Sequence, residues 1–247
     1  MLKRTTLSIF LLILSNLNGD IIHEEGAISG FVLGESPNSS YDNWISHVTE
    51  GIAEDGYNNY GPDWLDVQTN GFGSYDRLEQ NSPTLEYWDT IFSAFIEGDT
   101  TQVDSLLQDS LQSFFYELVI FQDTVYNRTF HIIREQLDTS YVDINDPENA
   151  DDDVVGAFRN GWGMFIINPN AEREQVIIQV PHPCDDFIAP YVALDLFLQV
   201  DSYAFMINGA GREVLWTGVG NFSNSKSLSD PSRYPHTVFQ KFQENVT

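Results

Sequence analysis

His182, Asp185 and Asp186 fall within five consecutive positions, in the stretch Val-Pro-His-Pro-Cys-Asp-Asp-Phe from Val180 to Phe187. One imidazole followed by two carboxylates is a donor set that zinc accepts. A hydrolytic zinc site keeps a further position open for water. A distant histidine ordinarily completes such a set, and His236 is the only one downstream. Arg212 and Arg233 are the candidates for a substrate carboxylate, which a guanidinium grips with two parallel hydrogen bonds, or for a developing oxyanion. Glu213 and Glu244 are the nearest candidates for a general base, and Glu213 stands beside Arg212. Each residue also has a plainer use. His182 between two prolines can hydrogen-bond its own turn, and either aspartate can cap a following helix. Arg212 can pair with Glu213 at the surface, and Arg233 can offset local acids. The metal expectation rests on their joint placement. Cys184, the only cysteine, invites a thiol-nucleophile reading. A base two residues away in the same turn is poorly placed to take the sulfur's proton.

The elements that must position these residues follow from the flanking pattern. Val176 to Val180 is an apolar run of strand length, and Pro181 and Pro183 end it. A helix is expected over Ile188–Val200, with Pro190 in its first turn and Ile188, Val192, Leu194, Leu196 and Phe197 as its buried flank. A strand follows at Tyr203–Asn208. This β-turn-α-β unit puts His182 at the carboxyl end of a strand, where open α/β sheets hold their ligands. Upstream, Met164–Ile167 reads as a strand, with Gln175–Val180 returning beside it as a hairpin. Tyr234–Glu244 reads as a terminal helix. Sheet strands still wanting come either from the amino-terminal half or from beyond Thr247, and in the second case the site is incomplete.

The order His182-Pro183-x-Asp185/Asp186, then Gly211-Arg212, then Asp230-Pro231-Ser232-Arg233 resembles that of N-formylglutamate amidohydrolases and, more remotely, zinc carboxypeptidases. The resemblance covers about residues 175–236. It implies an α/β fold of the phosphorylase/hydrolase type, zinc held by His182 with Asp185 or Asp186, and substrate held by Arg212 and Arg233. His236 stands for the further ligand. Here aspartate replaces the expected glutamate ligand, Ser232 replaces an asparagine, and no downstream glutamate lies on an evident strand to act as base.

Residues 1–19 read as a secretory leader, with Lys3 and Arg4, the apolar Leu7–Leu14 and a small-residue cleavage point at Leu17-Asn18-Gly19. Residues 20–138 read as a loop-rich and then helical region. Within it, one short helix is expected at Tyr41–Ile52, and Thr84–Glu97 reads as helical. A longer one starts at Asp99 or Thr100 and carries Val103, Leu106, Leu107, Leu111, Phe114, Phe115 and Leu118 at three- and four-residue intervals. His131 reads as a histidine on a packed element. Residues 139–156 read as an acidic linker, since the glycine that a calcium loop needs at its sixth position is Glu148 counted from Asp143. Residues 157–247 hold the hydrolase-like α/β part. The formal net charge is −26, which disfavours nucleic acid and anionic lipid as partners.

The expectation is an exported, zinc-dependent hydrolase of amide bonds in small acylamino acids or peptides. Its rival is a non-catalytic exported binding protein on a degenerate hydrolase scaffold. A carbohydrate-binding module built on Trp44, Tyr57, Tyr60 and Trp64 is a third reading, unsupported by any repeat or sandwich pattern.

Overall fold

The structure is a computed structural model that describes residues 21–33, 75, 78–109, 111–112, 114–136, 160–183, 186, 188–211 and 228–247. The leader, the Tyr41–Ile52 helix, the aromatics of the sugar-binding reading, the acidic linker, Cys184, Asp185, Arg212 and Glu213 lie outside the described residues. Six strands form one mixed sheet in the order β1-β2-β3-β4-β6-β5. They are β1 (Ile22–Gly26), β2 (Tyr116–Asp123), β3 (Arg128–Glu135), β4 (Met164–Ile167), β5 (Arg173–Val180) and β6 (Ser202–Ile207). Helices cover both faces, so the chain is an α/β protein. Among the described residues no helix is long and apolar enough to cross a membrane.

Alternation along the strands assigns the two faces. On one, Phe121, Phe130 and Phe205 meet α1 (Ile28–Leu33) and α4 (Ala189–Gln199), with ring centroids of 5.0 Å for Phe31–Phe121, 5.5 Å for Phe130–Phe197 and 5.6 Å for Phe197–Phe205. On the other, Phe165 packs against Phe92 of α2 (Pro83–Glu97) at 4.9 Å and Phe242 of α5 (Val238–Val246) at 5.1 Å. Buried side chains of the two layers thus clamp a sheet whose central strands are apolar on both sides.

That double burial explains the main departure from the helix expected after Asp99. The helix does start there, with the Asp99 carboxylate accepting from Gln102 N–H, but α3 (Thr100–Leu107) stops at Leu107. The apolar run beyond it is the β2–β3 hairpin, paired from Tyr116 with Glu135 to Asp123 with Arg128. A strand buried on both faces shows little alternation, so its period cannot be told from that of a helix. His131 lies on β3, half-buried, and burial lowers its pKa. β1 and α1 come from a region that reads as turns. Together β1, β2 and β3 supply strands that the carboxyl-terminal part wanted.

Three further expectations are corrected. β4 and β5 are not a hairpin, because β6 lies between them, antiparallel to β4 and parallel to β5. The β5-α4-β6 crossover does form, and its helix buries Leu194, Phe197 and Leu198. Ile188, Val192 and Leu196, expected inside, are 62%, 59% and 45% exposed. α4 is apolar on most of its circumference, so composition did not say which stripe faces the sheet. The terminal helix begins at Val238, capped by Thr237, and leaves His236 in the segment before it.

The pairing gathers the starts of β2 and β4 and the ends of β3, β5 and β6 at one end of the sheet. Two backbones approach closely there. A side chain on Gly209 would meet Gly161 C and O and Gly163 N at 2.5 Å, and one on Gly163 would overlap Ile207 O. Gly163 also has φ 107°, a region L-residues avoid. Gly163→Ala is expected to lower unfolding free energy by more than about 1 kcal/mol with an unchanged denaturant slope. Urea denaturation tests this, and wild-type stability in the variant would show that the segments can part freely.

Candidate functional site

His182 lies two residues beyond β5, at the sheet end just described. Its ring is half-buried between two carboxylates. Nε2 is 2.8 Å from Asp230 Oδ1, and Nδ1 is 3.6 Å from Asp186 Oδ2. Asp230 belongs to a turn, where its backbone carbonyl accepts the N–H groups of Arg233 (3.0 Å) and Tyr234 (2.9 Å). Its side chain is buried, 2% exposed as a residue. Oδ1 also accepts from Ser232 N–H at 2.8 Å, and Oδ2 lies 3.5 Å from Arg233 Nε.

These contacts set the charge of the pair. Burial pushes the Asp230 carboxyl up. The hydrogen bond and charge of His182, the Ser232 N–H and the Arg233 charge together outweigh it and hold the group below its ordinary value of 3.8. Asp230 is therefore ionised at neutral pH and can only accept. In the neutral ring the hydrogen then sits on Nε2 and the lone pair on Nδ1, facing Asp186, whereas the protonated ring donates from both nitrogens. The same assignment bears on Ser232, whose Oγ is 3.2 Å from Nε2. A nitrogen that already carries a hydrogen cannot take the proton of a hydroxyl, so the geometry does not activate Ser232 as a nucleophile.

Asp186 is exposed, and its side chain does not cap α4. The N-cap residue is Ile188, which makes no side-chain cap bond, and only the backbone carbonyl of Asp186 serves the helix start, accepting from Ala189 N–H. For Asp186 the capping alternative thus gives way to a carboxylate directed at an imidazole, while Asp185 lies outside the described residues. Two ligands of a tetrahedral zinc lie about 3.4 Å apart, from metal–ligand distances of about 2.0–2.2 Å. The 3.6 Å between Nδ1 and Asp186 is an ion-pair distance close to that spacing. The 2.8 Å between Nε2 and Asp230 is a hydrogen bond. Among the described residues no group of three or more His, Cys, Asp or Glu side chains could hold a metal ion, so the described donors amount to the pair His182 and Asp186.

The remaining candidates divide. Arg233 is in the cluster through Asp230. His236 is not joined to it by any hydrogen bond or ion pair among the described residues. Its ring packs edge-on against Tyr234 at 5.1 Å, and the Tyr234 hydroxyl donates to Leu78 O at 2.8 Å. Asp185, Arg212 and Glu213 lie outside the described residues. Sequence reasoning missed Asp230 as the partner of His182, although Asp230-Pro231-Ser232-Arg233 stood out as a carboxylate-binding stretch. The Asp-Pro turn was the available signal. Glu135, at the same sheet end, was missed too. It is buried and accepts from Gly161 N–H at 2.9 Å and from Asn160 Nδ2 at 3.0 Å, which holds the segment entering β4.

A depressed folded-state pKa stabilises the fold above the unfolded value and loses that contribution as pH falls through the folded value. Wild type is therefore expected to exceed Asp230→Asn by roughly 1.5–3 kcal/mol at about pH 5, with the gap closing toward about pH 2. Urea denaturation of both proteins at the two pH values checks it, and a gap that does not move with pH would mean Asp230 is not held ionised. Comparison of the chain with protein-family models, with curated proteins and with solved structures returns no match.

Proposed function

We propose that the protein is an exported, metal-dependent hydrolase of amide bonds in small acylamino acids or peptides, built on a phosphorylase/hydrolase-like variant of the α/β fold. The observation that carries this reading is the orientation of His182. Nε2 lies 2.8 Å from the buried, ionised Asp230, which in the neutral ring takes the hydrogen there and leaves the Nδ1 lone pair 3.6 Å from Asp186. Metal-binding histidines are typically braced in this way, the far N–H donating to a carboxylate that fixes ring and tautomer. A structural histidine needs no carboxylate on its second side.

In this reading His182 Nδ1 and Asp186 are two zinc donors, Asp185 is the alternative or additional one, and His236 would join only by a rearrangement of its segment. A zinc ion held there would polarise a scissile carbonyl and lower the pKa of bound water. Arg233, 38% exposed and leaning on Asp230, and Arg212 would orient a substrate carboxylate through charge-assisted hydrogen bonds. Glu213 would serve as the base. The exposed Asp186 side of the ring gives a ligand access from solvent.

A second reading, a non-catalytic binding protein on the same scaffold, is favoured by the pair of donors where a closed metal group needs at least three. Elemental analysis separates the two. The hydrolase reading expects about one zinc per chain in wild type, lost in His182→Ala and reduced about 10- to 100-fold in affinity in Asp230→Asn. Wild type should also release free amino acid from a panel of N-acylamino acids, more weakly after Arg233→Met. Metal-free wild-type protein after zinc loading would leave the binding reading.

A further inference from the structure

We infer that Asn208 is a positioning residue for the His182 imidazole, acting through the two chain segments that carry the His182–Asp230 pair. Asn208 follows β6 directly and is 1% exposed. Its backbone N–H donates to Val180 O at 2.9 Å, the last residue of β5 and two residues before His182. Its side-chain Nδ2 donates to Ala210 O at 2.9 Å and to Ser229 O at 3.1 Å, the latter being the residue just before Asp230. Ser229, wholly buried, donates its hydroxyl back to Gly211 O at 2.7 Å. One residue therefore holds the strand end that bears the imidazole and the turn that bears its carboxylate.

Side-chain chemistry explains why asparagine suits the position. The amide nitrogen offers two hydrogens diverging in one plane, enough for two carbonyls in different segments. Aspartate offers none, and serine offers one. Because these carbonyls are buried, water cannot replace the missing donor, and the turn would have to move to solvate them. Movement of Ser229 carries Asp230 with it, and the 2.8 Å contact to Nε2 lengthens. The neutral imidazole then loses the acceptor that selects its Nε2–H form, and both tautomers become populated. Asn208 would thus act on which ring nitrogen carries the hydrogen, through hydrogen bonds to the two segments rather than to the ring. The tautomer claim stands whatever ligand the site takes. Its consequence for metal affinity rests on the hydrolase reading.

The test is NMR of protein labelled with 15N and 13C at histidine, with His182 assigned through Asp230→Asn and His182→Ala. In spectra recorded where the ring is neutral, wild type is expected to show a single Nε2–H tautomer with a ring proton protected from exchange. Asn208→Asp, the same shape with both donors removed, is expected to show mixed tautomers and loss of that protected proton. Tryptophan fluorescence is the control that the protein remains folded. Should Asn208→Asp not fold, Ser229→Ala, which cuts the return bond to Gly211, is read in the same way and is expected to weaken the Nε2–H signal. A folded variant that is less stable yet keeps the wild-type tautomer would show Asn208 to be structural only and would overturn the inference. Absence of zinc from every variant, wild type included, would sink the hydrolase reading and leave the tautomer result standing.

Discussion

At the site end of the sheet, the backbones of Gly161–Gly163 and Ile207–Gly209 lie in contact, with no room for a side chain on Gly163 or Gly209. Much of what happens at this end depends on that approach. On one side Glu135 accepts from Gly161 and Asn160, anchoring the segment that enters β4. On the other side Asn208, the neighbour of Gly209, ties β5 to the turn at Ser229 and Asp230. A bulkier residue at either glycine would separate β4 from the end of β6. The buried donors and acceptors around them would then face no partner, and in a dry interior that is more costly than a lost contact.

The electrostatics of the site follow from the same dryness. Asp230 is buried, which alone would favour its neutral form, but an imidazole, a backbone N–H and a guanidinium surround it and keep it charged. Asp186, four residues beyond His182, stands in solvent, and among the described residues its side chain meets the imidazole. Two carboxylates on one ring thus have different work. The buried one is a fixed acceptor for Nε2. The exposed one faces Nδ1 from solvent.

A second charged group shows the same economy elsewhere in the sheet. Arg134 of β3, 1% exposed, reaches Glu117 of β2 at 2.6 Å and Glu24 of β1 at 2.7 Å, and its guanidinium lies 4.8 Å over the Phe31 ring of α1. Four elements meet at one cation. This pairing fixes how the amino-terminal strand and helix join the hairpin, a union that no local pattern of Ile22–Leu33 announces.

The amino-acid sequence by itself determined the local units: the strand at Met164–Ile167, the β5-α4-β6 crossover, the α2 helix, the cap at Asp99 and the placement of His182 at a strand end. Each depends on residues within a turn or two of one another, where proline, capping side chains and apolar runs act directly. Tertiary structure alone decided three further things. It chose strand over helix for Tyr116–Glu135, because a segment buried on both faces carries no period to read. It placed β6 between β4 and β5, since pairing order depends on which edges meet. It gave His182 its partner, Asp230, 48 residues away. The imidazole was legible as chemistry from its neighbours. Which of its nitrogens meets a buried acceptor was not, because that depends on a carboxylate brought in by the fold and kept ionised by groups that only the fold assembles around it.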